Sequence, residues 1–118
     1  MAYTGECHCG AVQFAVEDTP RWLTRCNCSI CRRIGALWFH TTPTNVTVTA
    51  AEDMLAGYAT GDKILESMRC KSCGCTTHWV PLNGDDRMAV NMNMVDPITI
   101  KDVRIRHFDG ADTWAFVD

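Results

Sequence analysis

The sequence predicts a mainly β fold, a single domain of short antiparallel strands with little helix. The chain has 118 residues, the size of one domain, and it contains no repeat, low-complexity segment or Gly/Ser linker. Several short segments alternate apolar and polar residues, as Val12, Phe14 and Val16 do. Turn signals such as Asn83-Gly84-Asp85-Asp86 separate these segments. We therefore treat residues 1–118 as one domain.

Each predicted element has its own local signal. The strands are expected at residues 11–17, 21–25, 36–42, 45–49, 63–70, 76–80, 87–92 and 103–108. The first, fourth and fifth of these alternate in polarity, and the third is rich in aromatic and β-branched residues and ends before Pro43. Residues 29–34 are the best candidate for a single helical turn, and residues 51–56 could form another, ended by Gly57.

Composition and charge narrow the possible functions. The chain is 47% hydrophobic and 21% charged, close to the average for globular proteins. It has no apolar run approaching the roughly 18 residues of a membrane span, and its N-terminal residues do not resemble a signal peptide. The net charge of −3 does not favour nucleic acid or an anionic membrane as a partner. We expect a cytoplasmic protein.

Eight cysteines form three tight clusters. The clusters are Cys7-x-Cys9, Cys26-x-Cys28-x-x-Cys31 and Cys70-x-x-Cys73-x-Cys75. A cytoplasmic protein keeps its thiols reduced, which argues against a disulfide framework. Thiols separated by one or two residues can instead point at one metal ion about 2.3 Å from each sulfur. The spacing therefore favours zinc over redox-active thiols or disulfides.

Two of the cysteine pairs suit a closed structural site. Cys7 and Cys9 lie near the start of the chain, and Cys70 and Cys73 form a C-x-x-C knuckle followed by Gly74. Such a knuckle often requires positive φ at the following residue, which glycine adopts readily. Four cysteines leave zinc no open position, so binding at such a site stabilises the fold. Counting cysteines does not by itself fix this division.

The central cluster has a different character. Cys26, Cys28 and Cys31 supply three thiolates within six residues, and three protein ligands with a vacant fourth position are typical of catalytic zinc. The alternative is that Cys75 or a histidine closes the site. A zinc ion with three thiolates is a weak Lewis acid, so we expect it to bind and deprotonate a thiol rather than to hydrolyse a substrate.

Polar and aromatic residues around the central cluster are candidates for substrate contacts. Arg32 and Arg33 follow it directly and could bind the carboxylates of an anionic thiol, although they could also be solvated charges or donors to the zinc-bound sulfurs. Asn27 could donate a hydrogen bond to a thiolate or could serve the turn alone. Trp38 could line a pocket, although core packing is the simpler interpretation.

The ordered motifs resemble a known family. They are Gly5-x-Cys7-His8-Cys9-Gly10-Ala11-Val12, Cys26-x-Cys28-Ser29-x-Cys31-Arg32-Arg33, Gly35-Ala36 and Cys70-x-x-Cys73-Gly74. This pattern is similar to that of the glutathione-dependent formaldehyde-activating enzymes, a family that also includes centromere protein V. The similarity extends over nearly the whole chain.

The resemblance implies a β-tent fold, a structural zinc on Cys7, Cys9, Cys70 and Cys73, and a catalytic zinc on the central three cysteines. It also implies a carbon–sulfur lyase that joins glutathione and formaldehyde into S-hydroxymethylglutathione, or cleaves that adduct. Two alternatives remain open. One is a non-catalytic zinc module of the centromere protein V type, and the other is a reductase that resembles methionine sulfoxide reductases and uses Cys75 as its nucleophile.

Overall fold

A computed structural model of the chain describes residues 2–61 and 63–118, which contain ten β-strands in two sheets. The strands are β1 (Ala2–Glu6), β2 (Val12–Glu17), β3 (Leu23–Cys26), β4 (Trp38–Thr41), β5 (Val46–Ala50), β6 (Leu55–Ala59), β7 (Leu65–Cys70), β8 (Thr76–Pro81), β9 (Met88–Asn91) and β10 (Ile105–Phe108). Over the same residues the helical content is one four-residue helix, α1 (Cys31–Ile34), and three 3₁₀ turns at Pro43–Asn45, Met92–Met94 and Pro97–Ile100. The predicted mainly β fold with little helix is confirmed.

The two sheets differ in size and in strand direction. The smaller sheet has the order β1-β2-β5 and is antiparallel throughout. The larger has the order β10-β3-β4-β9-β8-β7-β6, and its strands are antiparallel except that β10 runs parallel to β3. The predicted antiparallel arrangement therefore describes both sheets except at this edge of the larger one, where the pairing is parallel.

The hydrophobic core lies where the inner face of the small sheet meets the large one. Phe14 and Val16 of β2 are buried together with Leu23 of β3 and Trp38 of β4. The intervening residues of β2 point outward, as the alternating polarity predicts. A smaller apolar cluster contains Cys7, Val12 and Cys70, so the first and third cysteine groups meet at a second contact between the sheets.

Two local predictions can be compared directly with the structure. The helical turn at residues 29–34 is confirmed, because α1 lies within it. The helical turn expected at 51–56 is wrong, because residues from Leu55 onward form β6 and pair with β7, Leu55 lying opposite Cys70. A single helical turn gains little stability by itself, so pairing with a neighbouring strand decides this segment. In the described part of the chain, no helix is both long and apolar enough to span a bilayer.

Candidate metal centres and an adjoining cleft

Four cysteines from two distant turns converge on one point. Cys7 and Cys9 lie between β1 and β2, while Cys70 ends β7 and Cys73 follows in the turn to β8. Their sulfur atoms all lie within 4.8 Å of one another, with 3.7 Å between those of Cys7 and Cys9 and 3.6 Å between those of Cys9 and Cys70. A tetrahedral zinc with bonds of 2.3 Å would separate its sulfurs by about 3.8 Å, so the residues present fit this ion.

Backbone groups support this four-cysteine group. The N–H of Val12 donates to Cys7 Sγ at 3.3 Å. The N–H groups of Cys75 and Cys9 lower the pKa of the Cys73 thiol to about 5. Gly74 has φ of 80°, as the knuckle motif predicts, and its N–H donates to the carbonyl of Cys70 at 2.9 Å. A site built from four thiols, two of them fully buried, is suited to a structural ion.

The central cysteines form a second, separate group. Cys26 ends β3, Cys28 lies in the following loop and Cys31 begins α1, and their sulfurs also lie within 4.8 Å of one another. Within residues 2–61 and 63–118, no fourth Cys, His, Asp or Glu side chain joins this group. Cys75, the proposed fourth ligand, instead packs against the cluster of Cys7 and Cys70.

Each sulfur of this three-cysteine group accepts a hydrogen bond. The N–H of Cys28 donates to Cys26 Sγ and the N–H of Cys31 donates to Cys28 Sγ, both at 3.4 Å. The indole N–H of Trp38 donates to Cys31 Sγ at the same distance. Trp38 is buried in the core, and the same side chain also contacts the three-cysteine group. Such donors spread the negative charge of thiolates and orient them.

Burial raises the pKa of the Cys26 and Cys31 thiols in the chain without metal. A bound cation would displace these protons, because thiols bind metal as thiolates. Zinc prefers thiolate ligands, so the three-cysteine group also fits zinc. Its three sulfurs leave one of the four usual positions of the ion for another ligand.

A cleft of about 590 Å³ opens beside the three-cysteine group. Cys26 and Cys31 form part of its wall, and the other lining residues include Arg25, Arg32, His107, Phe108 and one acidic residue, Asp109. Two guanidinium groups against one carboxylate suit the cleft to a small anionic molecule beside these two cysteines.

Comparison with known proteins identifies the family. The sequence model of the family described as glutathione-dependent formaldehyde-activating enzyme matches residues 2–108, which include all seven cysteines of both groups. The chain belongs to this family.

A solved structure supports the same relationship. The crystal structure of a Rhodobacter sphaeroides protein, determined in a structural genomics programme, is 30% identical to this chain and superposes with a TM-score of 0.72. The alignment covers 86% of this chain and 98% of that protein. Family membership indicates a glutathione-dependent formaldehyde-activating enzyme in general, and the two cysteine groups are compatible with zinc.

The two arginines predicted to bind substrate have different environments in this family member. Arg32 lines the cleft, whereas the guanidinium of Arg33 donates to the carbonyl of Ser29 at 2.7 Å and fastens the turn before α1. Arg33 is absent from the residues that line the cleft. Its proposed contact with substrate stays a prediction, and Arg32 is the better placed of the two.

The sequence does not indicate Arg25 as a cleft residue, and it does not distinguish His107 from the other histidines of the strands, His40 and His78. The parallel pairing of β10 with β3 places His107 beside Arg25 and Phe108 beside Cys26. No local pattern indicates this pairing, because the two strands are about 80 residues apart in the chain. The one available signal is that Arg25 directly precedes Cys26, a predicted metal ligand.

Proposed function

We propose that this chain is a zinc-dependent carbon–sulfur lyase that forms or cleaves the adduct of an anionic thiol with an aldehyde. Glutathione and formaldehyde, which give S-hydroxymethylglutathione, are the substrates that its family suggests. The observation that carries this proposal is a three-cysteine group at the wall of a cleft lined by Arg25 and Arg32, in a chain that also has a separate four-cysteine group. In this proposal residues 1–118 act as one cytoplasmic domain.

The two cysteine groups have different roles in this proposal. Cys7, Cys9, Cys70 and Cys73 would hold a structural zinc, and Cys26, Cys28 and Cys31 would hold the catalytic one. Zinc bound to three thiolates lowers the pKa of an incoming thiol enough to deprotonate it. The chain itself orients the three sulfurs through the backbone donors and the Trp38 indole.

The cleft would position the thiol by its carboxylates. Arg32 and Arg25 present guanidinium groups, which bind carboxylates through paired N–H donors, and His107 adds a further polar group. In the forward reaction the thiol sulfur bonds to the aldehyde carbon, and the carbonyl oxygen gains the proton that the thiol loses. In the reverse reaction the carbon–sulfur bond breaks and the aldehyde leaves.

Exchange NMR of glutathione with formaldehyde tests this proposal. The wild-type protein should speed the interconversion above the uncatalysed background, and Cys28→Ser should abolish that gain while retaining one zinc per chain. Cys75→Ser is the matched control, because Cys75 lies outside both groups and its loss should leave the exchange rate unchanged. If wild-type exchange equals the background, glutathione with formaldehyde is the wrong substrate pair. Faster exchange by Cys28→Ser than by the background would contradict the assigned site.

A further inference from the structure

The chain continues past the family match into a C-terminal turn, residues 109–115, that lies on the three-cysteine group. We infer that this turn is part of that site and strengthens its hold on metal, with Gly110 and Asn27 as its positioning residues. The inference rests on the zinc site of the proposed function, but it does not depend on which reaction the protein catalyses.

Gly110 touches two of the ligand cysteines. A Cβ atom built on it would lie 2.7 Å from Cys26 Sγ and 3.1 Å from the Cβ of Cys28. A contact of 2.7 Å essentially never occurs for a real Cβ atom, so any larger residue would shift the turn or the Cys26 sulfur from its position. The φ of Gly110 is not positive, so close approach rather than backbone freedom is the reason for glycine here.

Asn27 ties the turn to the loop that carries the cysteines. It lies between Cys26 and Cys28 in the sequence, and its side-chain amide donates to Asp109 Oδ1 at 3.0 Å. Its side-chain oxygen accepts a hydrogen bond from the N–H of Ala111, also at 3.0 Å. The amide therefore bridges both sides of Gly110 and holds it against the ligand loop, instead of donating to a thiolate.

The turn is held in one conformation by its own hydrogen bonds. The Asp109 carboxylate accepts from the N–H and the hydroxyl of Thr113, and the backbone of Asp109 pairs with Trp114 and Ala115. Trp114 adopts φ of 57°, which is strained for a bulky residue. Its ring packs edge-on to that of Phe108, with the two ring centroids 5.1 Å apart. A strained residue persists only where its surroundings fix it, so these hydrogen bonds and the ring contact together hold the turn against the cysteines.

A turn that packs against the cysteines affects metal affinity because it holds these ligands in place before the ion binds. Loss of groups that orient metal ligands typically weakens binding by roughly 10–100-fold. The four-cysteine group is built from the β1–β2 and β7–β8 connections, so its affinity should not depend on the C-terminal turn.

Cobalt titration of the metal-free protein tests the inference, because Co²⁺ bound to thiolates absorbs visible light. Gly110→Ala should weaken binding of the Co²⁺ ion at the three-cysteine group by at least about tenfold and leave the four-cysteine ion unchanged. Gly84→Ala is the matched control. That glycine lies in the exposed β8–β9 turn with φ of 78°, so its replacement strains the fold without touching either group.

Asn27→Ala provides a second, milder variant, with Asn83→Ala as its control in the distant turn. Asn27→Ala should also weaken Co²⁺ binding at the three-cysteine group, and it remains a test of the inference if Gly110→Ala does not fold. Unchanged Co²⁺ affinity of the three-cysteine group in both variants, or equally weakened Co²⁺ binding at both cysteine groups, would overturn the inference. Because metal affinity is measured without substrate, a failed glutathione exchange assay would leave this result to be judged separately.

Discussion

Arg32 is the residue through which charge recognition in the cleft can be tested. A hydrogen bond between charged groups contributes about 1.5–3 kcal/mol, which corresponds to roughly 10–100-fold in affinity. Arg32→Ala should therefore raise KM for glutathione by about that factor with little change in kcat. The neutral thiol 2-mercaptoethanol, which has no carboxylate, should show no such effect.

Arg33→Ala is the control for this prediction, because the two arginines are adjacent and equally charged but only Arg32 lines the cleft. Steady-state kinetics on both thiols provides the measurement. A larger KM increase for Arg33→Ala than for Arg32→Ala would show that the cleft assignment is wrong and that Arg33 is the main contact of the thiol.

His78 links stability to pH. It is buried on β8 with Nδ1 2.8 Å from the Thr77 hydroxyl, and burial lowers its pKa to about 4. The unfolded chain binds this proton with a pKa of about 6.5, so stability falls as the pH drops from there towards 4. Between pH 7 and pH 5.5 this one group should remove about 1 kcal/mol of unfolding free energy.

Urea unfolding of wild type and His78→Gln at both pH values, with zinc in excess, measures this effect. The variant cannot titrate at this position, so its stability should fall by about 1 kcal/mol less than that of wild type over the same interval. Zinc release affects both proteins alike and cancels in the comparison. An identical pH dependence in the two proteins would show that His78 has the same pKa in the folded and the unfolded chain, so that burial does not lower it.

At the scale of elements, alternation and turn signals predict most strands because they record local burial. The Val12–Val16 alternation and the Asn83–Asp86 turn both correspond to observed structure. β1 is not predicted because its five residues carry no alternating pattern. β6 is not predicted because it forms a strand through its pairing with β7. Local patterns therefore fail where a strand depends on its neighbour.

The same distinction applies to the site. Close spacing identifies the three-cysteine group and each pair of the four-cysteine group, because thiols two or three positions apart in the chain can reach a common point. The meeting of the two pairs depends on the contact between the sheets. The cleft residues Arg25 and His107 are brought together by the parallel pairing of β3 and β10, and Gly110 reaches Cys26 through a turn far along the chain. Candidate ligands that form a sequence motif can thus be predicted from sequence. The residues that line the cleft beside them follow only from the three-dimensional arrangement.

For the whole molecule, the four-cysteine group matters most because it joins the two sheets. Cys7 and Cys9 belong to the β1–β2 connection of the small sheet, and Cys70 and Cys73 belong to the β7–β8 connection of the large one. A structural zinc contributes roughly 10–16 kcal/mol of apparent binding energy, whereas a whole domain is stable by about 5–15 kcal/mol. Loss of the zinc ion proposed for this group should therefore by itself unfold the protein.

The two groups should respond differently to metal removal. We expect the wild type to carry two zinc ions and a single thiol, Cys75, that reacts with an alkylating agent. Cys28→Ser should carry one zinc, react at Cys26, Cys31 and Cys75, and still melt cooperatively. Cys70→Ser should lose cooperative melting, because its loss leaves the two sheets without their shared ion. Native mass spectrometry with alkylation counts the ions and thiols, and calorimetry follows the melting. Cooperative unfolding of Cys70→Ser near the wild-type temperature would show that hydrophobic contact between the sheets holds the fold without zinc.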